Sequence, residues 1–116
     1  MSEIDIKIKE AEGNSDLMVI KLSGFLDAYT YQNFEDALKK LINQNKFKII
    51  VDMGNLDYIS SAGLGVFMSV IAQIRQHNGD IKLTGLNSKV YKVFDLLGFT
   101  KLFQIFSEFD DAVKAF

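Results

Sequence analysis

Adjacent serines and two glycines stand together in Asp57-Tyr58-Ile59-Ser60-Ser61-Ala62-Gly63-Leu64-Gly65-Val66, a segment that runs from a loop into a helix. A serine at a helix start can cap it, and the free N–H groups there, with the positive end of the helix dipole, favour an added anion. A phosphoryl group would bring nearly two negative charges and considerable bulk onto a small uncharged surface, so binding would change while the fold persisted. Each glycine costs about 0.5–1 kcal/mol relative to alanine inside a helix. What glycine offers is a surface without side chains, which lets another backbone come close. Projected at about 100° per residue, Val66 falls roughly opposite the core stripe and is expected to point outward, with Val70 at its margin. The competing reading makes Ser60 or Ser61 an N-cap and Val66 an ordinary exposed apolar residue. Residue physics alone leaves the two readings even.

Other chemistries find little support. The single histidine, His77, falls near the end of a helix, and on that helix Ser61 and His77 are about four turns apart, too far to form a nucleophile–base pair. Metal catalysis needs several convergent ligands, and there is no cysteine to supply a thiolate or a disulfide. Gly63-Leu64-Gly65 lacks the third glycine of a dinucleotide fingerprint, since that position is Met68, and no Gly-Lys-Ser/Thr sequence occurs. Asp27, Asp52, Asp57 and Asp80 could be paired for acid–base work, but aspartate is common at strand ends and turns for local reasons. No catalytic residue, metal site or cofactor is therefore expected.

The elements that must position the serines follow from patterning. A chain of 116 residues, 48% hydrophobic and 24% charged, is expected to form one domain over residues 1–116. Thirteen basic against fifteen acidic residues give net charge −2, which argues against direct nucleic-acid binding. No basic-then-apolar leader and no long apolar run is present, so the expected location is cytoplasmic, without membrane insertion.

Ile4, Ile6 and Ile8 alternate with charged residues as in a short peripheral strand, and Leu17–Leu22 reads as a central strand covered on both faces. Thr30 is placed to cap a helix with Phe34, Ala37, Leu38, Leu41 and Ile42 inward. A third strand is expected over Lys46–Met53, ended by Gly54-Asn55 and followed by a loop. A second helix from Ser61 to about His77 carries Leu64, Phe67, Met68, Ile71 and Ile74 on its core stripe. Ile81 and Leu83 mark a fourth strand. A third helix capped by Asn87 or Ser88 has Val90, Val93, Phe94 and Leu97 inward and stops at Gly98. Leu102–Phe106 reads as a last strand, and Ser107 with Asp110 opens a final short helix. The fold class is α/β: a mixed sheet of about five strands with about four helices packed on it. The ten phenylalanines fit a core better than an association surface, so a monomer or weak dimer is expected.

Over essentially its whole length the sequence resembles the STAS family of bacterial anti-sigma factor antagonists. The resemblance rests on Gly24-Phe25-Leu26-Asp27, on Ile50-Val51-Asp52-Met53 with Tyr58 to Val66, and on Val93-Phe94-Asp95-Leu96-Leu97-Gly98-Phe99. It implies a partner-switching cycle in which the unmodified protein captures an anti-sigma factor, typically a serine/threonine kinase, and so frees a sigma factor. The kinase phosphorylates its antagonist, and a metal-dependent serine phosphatase reverses this. The matching acceptor is Ser61, and Ser60, Ser61, Ala62, Gly63, Gly65 and Val66 form the expected contact set, with Asp27 as a further contact or a loop-ordering residue. Two departures stand out. Ser60 occupies a position that is often aspartate, which makes it a second candidate acceptor, and Phe25 replaces the glutamate of Gly-Glu-Leu-Asp. STAS-like domains also serve as scaffolds of signalling assemblies or accessory subunits of lipid transporters, the alternative that the resemblance leaves open.

Overall fold

Leu17-Met18-Val19-Ile20 is apolar at every position, which suits a strand buried on both faces. In the computed structural model, which describes residues 3–116, it lies within β2 (Asn14–Leu26). The antiparallel β1 (Ile4–Ala11) flanks β2 on one side and the parallel β3 (Lys48–Ile59) on the other. The strands β4 (Asp80–Thr84) and β5 (Ile105–Phe106) continue the sheet in parallel, in the order β1-β2-β3-β4-β5. A tight turn joins β1 to β2 through Gly13 at φ +76°, a left-handed conformation that glycine adopts without strain. Each parallel step requires a crossover. These are made by α1 (Tyr31–Asn43), by α2 (Ser61–Gln76), and by α3 (Ser88–Leu96) together with α4 (Phe99–Leu102); α5 (Phe109–Lys114) follows β5.

Alternate residues of β2 serve two cores, as the period-two geometry of a strand dictates. Met18, Ile20 and Leu22 join Ile49, Val51 and Met53 of β3 beneath α1, α2 and α3. Leu17 and Val19 join Ile50 beneath α5, where Ala112 is buried and Phe106, Phe109, Val113 and Phe116 pack around it. Phe67 of α2 is the hub of the larger core. Its ring meets those of Phe34, Phe94 and Phe103 edge-on at centroid distances of 5.2, 5.8 and 5.8 Å, a geometry favoured by the aromatic quadrupole.

A polar network ties the far end of α2 to β4. Asp80 accepts from Arg75 Nε at 3.1 Å and from Lys82 Nζ at 3.2 Å, and Arg75 also reaches the Leu102 carbonyl at 2.7 Å. The Lys82 side chain is largely buried under the Phe116 ring, 4.6 Å from its centroid. The sheet's two edges are β1, which carries Lys7 and Lys9, and β5, which is two residues long.

Several expectations need correction. The third strand does not stop at Gly54-Asn55 but runs to Ile59, because two register shifts against β2 absorb the irregular residues and pairing resumes at Phe25↔Tyr58 and Leu26↔Ile59. Leu102–Phe106 is not one strand. Gly98 at φ +79° ends α3, and the single-turn α4 follows because Phe99 packs on Phe94 and Phe103, leaving only Ile105–Phe106 extended. There are thus five helices among the described residues. Leu97 is 56% exposed and Met68 47% exposed, although both were expected inward. Thr30 precedes α1 but does not cap it through its side chain.

Since Phe67 joins three other rings and is wholly buried, Phe67→Ala should lower the unfolding free energy by about 3–5 kcal/mol. Urea denaturation followed by circular dichroism measures this, and a loss below about 1 kcal/mol would show that the ring cluster does not organise the core.

Candidate functional site

Two chain segments meet where the parallel pair β2–β3 ends. Leu26 lies beside Ile59 in the sheet, and the Ser60 N–H donates to the Leu26 carbonyl at 2.9 Å. The loop after β2 and the first turn of α2 are thereby held side by side. Asp27 organises that loop: its carbonyl accepts from the N–H groups of Thr30 and Tyr31 at 3.2 and 2.9 Å, and its Oδ1 from Tyr29 N–H at 2.9 Å. Thr30 Oγ1 completes the turn, accepting from Asp27 N–H at 3.0 Å and donating to the Phe25 carbonyl at 2.7 Å. With its carboxylate turned to its own loop and the residue buried, Asp27 orders the turn. Tyr29, at the tip, is 86% exposed.

Ser60 and Ser61 differ sharply in setting. Ser60 is the N-cap of α2, in extended conformation, and its carbonyl accepts the first helical bond from Leu64 N–H at 3.0 Å. Its hydroxyl makes no capping bond and is a buried oxygen without a hydrogen-bond partner among the described residues. Ser61 is the first helical residue and is exposed. Of the two serines, Ser61 is therefore the accessible one.

The glycines also divide. A Cβ on Gly63 would stand 2.7 Å from Leu26 Cγ and 3.0 Å from both Ile59 Cγ1 and the Leu26 carbonyl oxygen, so Gly63 is what lets the helix lie on the strand ends. A Cβ on Gly65 would meet nothing within 4 Å. Close approach at Gly63 is internal, and only Gly65 presents bare backbone outward. Val66 is 1% exposed and Val70 is buried too, contrary to the outward valine expected. The reason is that α2 packs on the sheet and on α1 together, widening its buried arc to include Gly63, Val66 and Val70; Ser69 Oγ, bonded to Glu35 Oε2 of α1 at 3.1 Å, marks the seam. The open side of α2 carries Ser61, Gly65 and Met68, with Ala62 half-buried beside them.

An aromatic pair that sequence reasoning did not single out stands at the same strand ends, one residue before Leu26 and Ile59 and so on the sheet face away from α2. The rings of Phe25 and Tyr58, neighbours across β2–β3, are 6.1 Å apart and each is nearly half exposed. Phe25 standing where the resembling family has glutamate was the available signal.

The remaining candidates serve local structure. His77 follows the last residue of α2, stacks on Phe47 at 4.2 Å and pairs its Nδ1 with the Gln73 carbonyl at 2.9 Å. Asp52 accepts from Gly54 N–H at 3.0 Å, and Asp80 is engaged by Arg75 and Lys82. Asp57 is exposed. Among the described residues no group of three His, Cys, Asp or Glu is placed to hold a metal, and no helix is long and apolar enough to cross a membrane.

Fold and site together define a mixed α/β domain that presents the exposed Ser61 at the start of α2 beside the hydrogen-bonded loop of Asp27. The chain belongs to the STAS domain family, whose match spans residues 8–112. It is 32% identical to BtrV of Bordetella bronchiseptica over 100 residues, which is 86% of each chain. It is 29% identical to the anti-sigma-B factor antagonist of Listeria monocytogenes over 102 residues, 88% of each. Among solved structures it is similar to the Bacillus cell fate determinant SpoIIAA in the phosphorylated form, with TM-score 0.73, 20% identity, and 96% of this chain and 98% of that one covered.

Two contrasts test the geometry. Gly63→Ala should destabilise the protein by about 1–3 kcal/mol through overpacking on Leu26, whereas Gly65→Ala should stabilise it by up to about 1 kcal/mol by helix propensity. Thermal melts of the two variants should move in opposite directions; a shared direction would contradict the placement of α2. Ser60→Ala removes a hydroxyl that makes no bond, so its melting temperature should match or exceed the wild type's. A loss above about 1 kcal/mol would mean the hydroxyl is paired in solution.

Proposed function

We propose that this protein is a cytoplasmic anti-sigma factor antagonist, a single STAS domain over residues 1–116 that acts by binding. Unphosphorylated, it captures an anti-sigma factor of the serine/threonine kinase type and frees a sigma factor. Phosphorylation of Ser61 by that kinase ends the capture, and a metal-dependent serine phosphatase restores it. The observation carrying this reading is the contrast between the exposed Ser61 and the buried hydroxyl of Ser60.

The first turn of α2 supplies free N–H groups and a favourable dipole, so a phosphate on Ser61 is tolerated by the fold. Burying that phosphate against a partner without compensating cations is a different matter and costs several kcal/mol. The contact surface comprises Ser61, Ala62, Gly65 and Met68, bordered by the loop that Asp27 orders. Val66 and Gly63 drop out because they are buried. The names of the similar relatives support the antagonist reading.

The protein and its Ser61→Ala and Ser61→Glu variants, purified from their own host, should differ in what they retain. Wild type and Ser61→Ala should hold a kinase-like protein; Ser61→Glu should lose it, with affinity reduced on the order of 100-fold. Phosphate incorporation should be abolished in Ser61→Ala and kept in Ser60→Ala. Equal retention by all three, or capture of membrane transporter components irrespective of Ser61, would sink the switch.

A further inference from the structure

The sheet face opposite α1–α3 is only partly covered. α5 has six residues and reaches Leu17, Val19 and Ile50, so the same face of β1 and β2 stays open farther along. A cavity of about 490 Å³ lies there, lined by Lys7, Lys9, Val19, Lys21, Asp52 and Phe109. Its size falls within the usual range for small-molecule sites.

The charges in it are arranged against local stability. Lys7 and Lys21 are direct cross-strand partners, and Lys9 lies two residues along the same face. Like charges placed opposite one another weaken an antiparallel pair. Lys7 reaches Asp5 at 3.9 Å, with both side chains largely exposed, while Lys9 and Lys21 enter no ion pair among the described residues. Asp52 lies beside Lys21 in the sheet and also lines the cavity; its Oδ1 accepts from Gly54 N–H, and its carboxylate offsets one of the three lysines. The lining thus carries three cations against one carboxylate, in a chain whose net charge is −2. They meet at a surface with an apolar floor, the buried Val19, and an aromatic wall, the half-buried Phe109.

We propose that this cavity binds a small organic anion, a carboxylate or phosphate group joined to an apolar body. The anionic group would lie among Lys7, Lys9 and Lys21 and relieve their repulsion, and the apolar part would rest on Val19 and Phe109. The site is on the opposite sheet face from α2, so it is independent of the partner-switch reading. A Ser61→Ala variant binds the anion as the wild type does.

The test is a titration of isotopically labelled protein followed by backbone amide NMR, with phenyl phosphate, hexanoate, inorganic phosphate and neutral benzyl alcohol as probes. Saturable shifts confined to Lys7, Lys9, Val19, Lys21, Asp52 and Phe109 are expected with phenyl phosphate or hexanoate; which of the two binds tighter identifies the head group. The double variant Lys7→Gln/Lys21→Gln should bind that probe at least roughly tenfold more weakly. Its thermal melt should equal or exceed the wild type's, which shows that it is folded and that the lysines repel. Inorganic phosphate binding as well as phenyl phosphate would reduce the site to a bare charge patch and overturn the proposal. So would the absence of saturable shifts with either amphiphilic anion, or benzyl alcohol binding equally well.

Discussion

The first turn of α2 rests directly on Leu26 and Ile59, and a Cβ at residue 63 would have to push Leu26 aside. Much else depends on that contact. It requires β2 and β3 to stay paired to their ends, which the two register shifts between them permit. It sets the height of α2 above the sheet, so that Phe67, one helical turn on, reaches Phe34, Phe94 and Phe103 together. It also places Ser60 where its N–H meets the Leu26 carbonyl, joining the helix start to the loop of Asp27. The serine at the rim is held by core packing, and an unmodified and a modified Ser61 would stand on the same support.

Much of this architecture is legible in the sequence because its periodicities are clean. The doubly buried β2, the amphipathic α1, the start of α2 and the stop at Gly98 follow from apolar spacing and from glycine's access to left-handed backbone. The failures have one physical source, which is that a helical wheel cannot tell how many neighbours a helix has. Counting Met68 into the core rotated the stripe of α2 away from Val66, and only the presence of α1 on that side shows why Val66 and Val70 are buried. Leu97 was placed inward by the same arithmetic, although α3 ends before it can be covered. Gly54 was read as a stop because a bulge and a strand end look alike in a single chain. Four residues of helix at Phe99–Leu102 are too few to leave a period.

At the site, residue types were legible and their settings were not. Adjacent serines are equivalent as letters, and the difference between them is one of burial. Ser60 retains an unbonded hydroxyl in a place where a hydrogen bond would ordinarily be made, at a net cost comparable to one lost bond. Gly63 and Gly65 form a similar pair: one is required by packing and the other costs helix stability without a structural return. Where a residue is costly and the fold does not require it, an interaction outside the fold is the natural place to look. The same reasoning applies to the exposed Phe25–Tyr58 pair.

The edges of the sheet bear on how copies of this protein coexist. β1 is eight residues long and would offer a template for another strand, but Lys7 and Lys9 project from it; β5 is too short to template anything. Strand addition at either end is thus discouraged. The sheet ends on both sides in strands that give a second copy little to pair with.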